Sequence, residues 1–346
     1  MFIDYVRQLV STLITKLESD EMRKEMAIAC TVLSSVCMGS PAESRGYPQA
    51  EITNGVITAT VATETQRMDN YYRAQRFDWS GIIYALKYKG HSYFGEWVDK
   101  FDPYLHDSIC GPVEEFTQIG YENAKVGEEF LKIGVGTLKK KSNDPYSFRE
   151  PYEIVNNGKW ECSTTENSAT YVQTLKSKLG SYVYKKTIEL VPNSPVMKIK
   201  HSFKNIGDVA INTSVYNHNF FMLDGEPTGK AISLRFAFEP KNPEIIKYPE
   251  NGKIVKDLLT FNKDFAPGEM ILFRGLKGEN KVENYDFRLE NSKTGAAVRF
   301  RGDRPVTKIT FWACRNTQCA EPFIDINVKP GEEFDWSITY DFYTTK

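Results

Sequence analysis

The sequence predicts an all-β protein, a large antiparallel β-sandwich preceded by a helical or signal-like N-terminal segment. Three observations carry that expectation. From Ile52 onward, short runs of β-branched and aromatic residues are separated by turn signals: Asn54-Gly55, Asn157-Gly158, Asn205-Ile206-Gly207-Asp208, Asn251-Gly252 and Pro330-Gly331. Several runs alternate apolar and polar residues, the signature of a strand with one dry face and one wet one. After residue 50 no amphipathic helix longer than about two turns is evident. Two packed sheets are the natural outcome.

Taken in chain order, the first 48 residues stand apart. Residues 26–39 form an uncharged apolar run of signal-peptide length, preceded by Arg23 and Lys24 and followed by the small residues Gly39, Ser40 and Ala42. The run is short for a membrane-spanning helix. Residues 22–42 thus read as a secretory signal, which would place the mature chain in the periplasm or outside the cell. The acidic amphipathic segment ahead of it fits instead a peripheral helix followed by a buried one, in a cytoplasmic protein. The remainder, residues 49–346, shows no linker rich in Pro, Ser or Gly and reads as one domain. Residues 181–190, 197–203 and 336–343 are the clearest strands: Met197, Ile199, His201 and Phe203 share one face, Lys198, Lys200 and Ser202 the other. The lysine run of residues 139–144 reads as a solvated loop.

Composition excludes several functions. A net charge of -1 supplies no field for a polyanion, so nucleic acid is not an expected partner. No glycine-rich phosphate loop is present, since Gly127, Gly134 and Gly136 lack both its spacing and a following helix. The six cysteines show neither a CxxC pair nor histidines at zinc spacing, so no metal site is expected, and Cys314 and Cys319 are expected as free thiols. Aromatic residues make up 13% of the chain, which suits strands and also stacking on sugar rings.

With four histidines in the chain, candidate chemistry can be sorted one by one. His91 falls at a hairpin turn and reads as exposed. His201 lies on the apolar row of its strand and reads as a core histidine. His106 sits in a proline-containing loop beside Asp107. His218 differs: in Tyr216-Asn217-His218-Asn219-Phe220-Phe221 it follows a strand, between amides able to orient an imidazole and aromatics able to floor a pocket. Among the acids, Glu321 in Cys319-Ala320-Glu321-Pro322 is expected in a connection between strands, where functional groups concentrate. By composition alone it is an ordinary exposed glutamate.

The order of these landmarks resembles that of the aldose-1-epimerase (galactose mutarotase-like) superfamily. The segment Gly81-Ile82-Ile83-Tyr84-Ala85-Leu86 resembles the family's early strand, and Asn205-Ile206-Gly207 its Asn-x-Gly turn. His218-Asn219-Phe220-Phe221 resembles its His-x-Tyr/Phe-Phe site, and Glu321-Pro322 its late glutamate site. The resemblance spans most of residues 50–346 and implies the family's supersandwich. It also implies a monosaccharide or the sugar end of an oligosaccharide as ligand, His218 as general acid and Glu321 as general base, with no metal or cofactor. Such a pair, on opposite sides of a sugar ring, would open the ring and let it close from the other face. Arg73, Arg76 and Asp78 are candidates for binding sugar hydroxyls, with Trp79 as a stacking surface; the alternative for them is a salt-bridged strand entrance.

One departure stands out. Where many family members carry a further histidine, this chain reads Cys110-Gly111-Pro112-Val113-Glu114-Glu115-Phe116. His106, Glu114 or Glu115 would have to supply the missing polar contact. The sequence therefore leaves three readings: an epimerase-like enzyme, a non-catalytic carbohydrate-binding protein with the same sandwich, and an accessory protein of polysaccharide degradation.

Overall fold

The computed structural model describes residues 46–65, 71–241 and 243–346. The signal-like reading of residues 22–42, and nearly all of the segment 1–48, lie outside the described residues. Among the described residues no helix is long and apolar enough to cross a membrane, and helical structure is confined to short 3₁₀ turns.

A ten-stranded sheet forms one layer, running from Gly252–Val255 at one edge to Lys159–Thr164 at the other. Glu333–Thr344 lies inside it between Ala296–Gly302 and Val196–Asn205, and Tyr182–Leu190 follows, every pairing antiparallel. A six-stranded sheet runs from Ile245–Lys247 through Met270–Leu276, Lys308–Cys314, Thr317–Val328 and Ile211–His218 to Val113–Phe116. Smaller sheets of four and three strands complete the domain.

Period-two alternation explains both layers. Ile199, Phe203, Ile338 and Phe342 from the large sheet meet Val215, Ile309, Phe311 and Ile324 from the six-stranded one in a single buried cluster. The turns obey local chemistry: Asn54 Oδ1 accepts hydrogen bonds from the backbone N–H groups of Val56 and Ile57 at 3.0 and 2.9 Å, closing the hairpin after Gln49–Thr53.

Asn251-Gly252 does separate two strands: Asn251 ends a 3₁₀ turn and Gly252, at φ -169, opens the next strand. Glycine is needed there for space, because a Cβ would stand 2.9 Å from the Thr260 carbonyl oxygen. One expectation changes: the lysine run 139–144 is not all solvated. Lys139 ends the strand Gly136–Lys139, and Lys140 is buried, donating from Nζ to the Tyr121 carbonyl at 3.0 Å over that residue's ring.

Candidate active site

The six-stranded sheet directs one alternating set of residues into the core. The other set, including Tyr216, His218, Thr310, Trp312, Glu321 and Phe323, faces a cleft of about 580 Å³. Arg76, Asp107, Phe148 and Tyr248, from segments outside those six strands, wall it. Its size is that of a small-molecule site.

Glu321 does not sit in a connection as its neighbours suggested. It is the fifth residue of the strand Thr317–Val328, opposite Thr310 on one side. On the other side the register pairs Tyr216 with Phe323 and then Phe221 with Gln318, which sets His218 across from Glu321. His218 Nε2 accordingly stands 3.1 Å from Glu321 Oε1. The expectation of two groups on opposite sides of a sugar ring is thus replaced by cross-strand neighbours in contact. His218 ends its strand, the chain leaves through Phe220 at φ 41, and the Phe220 ring stacks on the imidazole with centroids 3.9 Å apart. The flanking amides do not orient that imidazole. Asn217 Nδ2 donates to Glu114 at 3.0 Å, and Asn219 holds the Ala320 carbonyl and the Tyr340 hydroxyl.

Burial dominates the electrostatics of the pair. Removal from water pushes the Glu321 carboxyl up to about 8, with Arg76 opposing, and the same burial, reinforced by Arg76, holds the His218 imidazole well below its ordinary value. Near neutral pH the pair is therefore uncharged, with its one proton on Glu321. An imidazolium–carboxylate pair would carry the same single proton at the other site.

Arg76 organises the rest. Its guanidinium bonds Glu115 at 2.7 Å, the Tyr216 hydroxyl at 3.1 Å and Asp107, and its face lies over the Phe148 ring. Burial pushes Asp107 up, but His106 at 3.2 Å and Arg76 outweigh it and hold the carboxyl at about 2. Glu115 is likewise held below its ordinary value, Arg76 and Lys132 overcoming desolvation.

The other sequence candidates divide sharply. Arg76 and Glu115 line the cleft. His106 does not line the cleft but backs two residues that do, Asp107 and Phe148; Glu115 holds the strand position that faces the cleft. Arg73 is buried over the Trp79 ring, and Trp79 itself is buried near Trp160, so neither meets the cleft. Asp78 and Glu114 lie in the core with Lys186: Asp78 accepts from Tyr184 and Ser80, Glu114 from Lys186, Asn217 and His201. His201 is the core histidine expected, stacked on Trp336 at 4.3 Å. His91 is only half-exposed, its Nδ1 2.8 Å from Asp224. Cys319 lies opposite Trp312 rather than Cys314, and both cysteines are free. Sequence reasoning did not assign Asp107 or Trp312 to the site, and offered Tyr216 only as one of the aromatics beside His218. Asp107 adjoins His106, whereas Trp312 becomes legible only once its strand is paired with that of Glu321.

Together the layered sheets and this cleft define a class. The chain has the galactose mutarotase-like fold. Among solved structures it is similar to a galactose mutarotase related enzyme from Lactobacillus acidophilus, with 14% identity, 86% of this chain and 98% of that one covered, and a TM-score of 0.53. A galactose mutarotase-like protein from Clostridium acetobutylicum matches with 14% identity over 85% and 95% of the two chains and a TM-score of 0.52. An aldose epimerase homologue from C. elegans matches with 13% identity over 86% and 99% and a TM-score of 0.51. No family model matches the sequence, and no curated protein matches it significantly.

Proposed function

We propose that this protein is an aldose 1-epimerase-like enzyme that interconverts the anomers of a sugar, with His218 and Glu321 as its acid/base pair. The observation that carries the reading is the cross-strand contact of these two residues at a sugar-sized cleft in a galactose mutarotase-like fold. Ring opening needs a base to take the proton of the anomeric hydroxyl while an acid gives one to the ring oxygen; the C1–O5 bond breaks as the carbonyl forms. Rotation about C1–C2 and closure from the other face reverse both transfers. A pair with one proton and two sites serves opening and closing alike, because whichever member starts as acid ends as base. The upward shift of the Glu321 carboxyl by burial supports the carboxyl as the acid and His218 as the base for opening. That order inverts the one implied by the resemblance, while the proton count is the same.

A second reading, a carbohydrate-binding protein without catalysis, is favoured by the closure of the pair on itself, since a substrate oxygen must part the 3.1 Å contact to use it. Polarimetry of freshly dissolved α-glucose and α-galactose separates the two. Acceleration by the wild type that is lost in Glu321→Ala supports the enzyme; binding without acceleration by folded protein supports the second reading. We also propose export directed by residues 22–42, checked by N-terminal sequencing of the mature chain.

A further inference from the structure

The acids and bases that line the cleft are not equally satisfied. Asp107 and Glu115 are paired with Arg76, and Glu244 is paired at 2.9 Å with Lys277, which lies outside the lining. Four exposed cations at the cleft, Arg149, Lys247, Arg274 and Lys308, make no ion pair with any described residue. The lining thus holds five cationic side chains against four acids, and one of those acids, Glu321, is protonated near neutral pH. The cleft is two charges positive in a chain whose net charge is -1. Such an excess focused in a concave site raises the local concentration of anions and speeds their capture.

The cations are also placed to divide the work. Arg274 and Lys308 stand on adjoining strands of the sheet that carries Glu321, Lys308 over the Phe323 ring at 4.5 Å, with Arg274 close enough to lower the Glu321 carboxyl against its desolvation. Arg149 and Lys247 come from other walls of the cleft. The aromatic side chains of Tyr216, Trp312 and Phe323 give the cleft apolar surface, while the unpaired cations offer partners to a charged substituent.

We infer that the ligand of this cleft is an anionic sugar, a monosaccharide bearing a phosphate or a carboxylate, whose charged group is held by Arg274 and Lys308. The inference rests on the sugar reading of the site and adds the chemical class of the substrate. A neutral hexose would leave these cations to water.

The test compares the protein-dependent increment in anomeric exchange for glucose, glucuronate and glucose 6-phosphate, followed by NMR exchange spectroscopy with the full chain and with Arg274→Ala/Lys308→Ala. Both positions are exposed, so the double variant is expected to fold, which its circular dichroism checks. The expected result is a kcat/KM for at least one anionic sugar about tenfold or more above that for glucose. That ratio falls by about fivefold or more in the double variant, and also on going from about 0.02 M to about 0.5 M salt. The ratio of glucose 6-phosphate to glucuronate then identifies the anion. Equal rates for all three sugars, or a preference for glucose, overturn the inference and leave the epimerase reading intact. If no sugar is accelerated, calorimetry decides: tighter binding of an anionic sugar than of glucose, weakened in the double variant, upholds the inference while the epimerase reading falls. Absence of such binding overturns it.

Discussion

At Glu321 burial writes a pH signature into stability. Its carboxyl, ordinarily at 4.5, is raised to about 8, and the His218 imidazole, ordinarily at 6.5, is lowered. Just below pH 6.5 the unfolded pair holds one proton, on the histidine, and the folded pair also holds one, on the glutamate, so there it adds no slope to stability. From pH 6.5 to about 8 the folded pair keeps a proton that the unfolded pair has lost, and stability falls as pH rises. Below pH 4.5 the unfolded pair binds two, and stability falls as pH drops; the depressed Asp107 and Glu115 carboxyls steepen that limb. In denaturant unfolding the pair's own contribution should therefore be flat-topped, superimposed on the decline with rising pH that Asp78, raised to about 7, adds between pH 3.8 and 7. Glu321→Gln should remove the alkaline limb and let His218 alone impose a decline below pH 6.5. In catalysis the same substitution should lower the epimerase rate by about 10²–10⁴-fold, and the wild-type kcat/KM should fall above pH 8 or so as Glu321 loses its proton.

Among the elements, the short strand Val113–Phe116 does the most to organise the site. Two adjacent glutamates go to opposite faces: Glu115 meets Arg76 in the cleft, and Glu114 meets Lys186 in the core, where both side chains are fully buried. The chain enters that strand at Gly111, φ 70, where a Cβ would lie 2.8 Å from the Ile83 carbonyl oxygen, so the entry tolerates only glycine. Lys186 also donates to the Ser80 carbonyl and stands 3.9 Å from Asp78, a carboxyl that burial raises to about 7 with Lys186 opposing. Lys186→Met would strand two buried acids and should cost about 3–5 kcal/mol. Lys186→Met/Glu114→Gln should recover part of that loss in urea unfolding, because fewer unpaired charges stay buried. These placements explain which candidates sequence reading separated and which it did not. Arg73, Arg76 and Asp78 lie in an irregular segment with no period from which to read direction, and a four-residue strand does not announce which of Glu114 and Glu115 faces the cleft.

Across the whole molecule, the last strand of the chain is an interior one. Glu333–Thr344 pairs on both sides, Ile338 opposite Ile199 and Tyr340 opposite Phe300, and contributes Trp336, Ile338, Tyr340 and Phe342 to the core. A chain ending at residue 332 would lose those contacts and expose two unpaired strand edges in the middle of the large sheet. It should fail to fold, as loss of near-UV circular dichroism and of sigmoidal denaturation would reveal. Shortening the chain after Thr344 should leave the transition in place.

The all-β class and most turn positions were readable from the amino acids alone, while His218 and Glu321 were singled out by the family resemblance. They rest on local alternation, on turn chemistry and on the order of motifs along the chain. Which arginine and which glutamate reach the cleft, and that His218 and Glu321 meet across two strands, were settled by the folded sheet. Each depends on strand register, produced by residues more than a hundred positions apart, such as Tyr216 and Phe323.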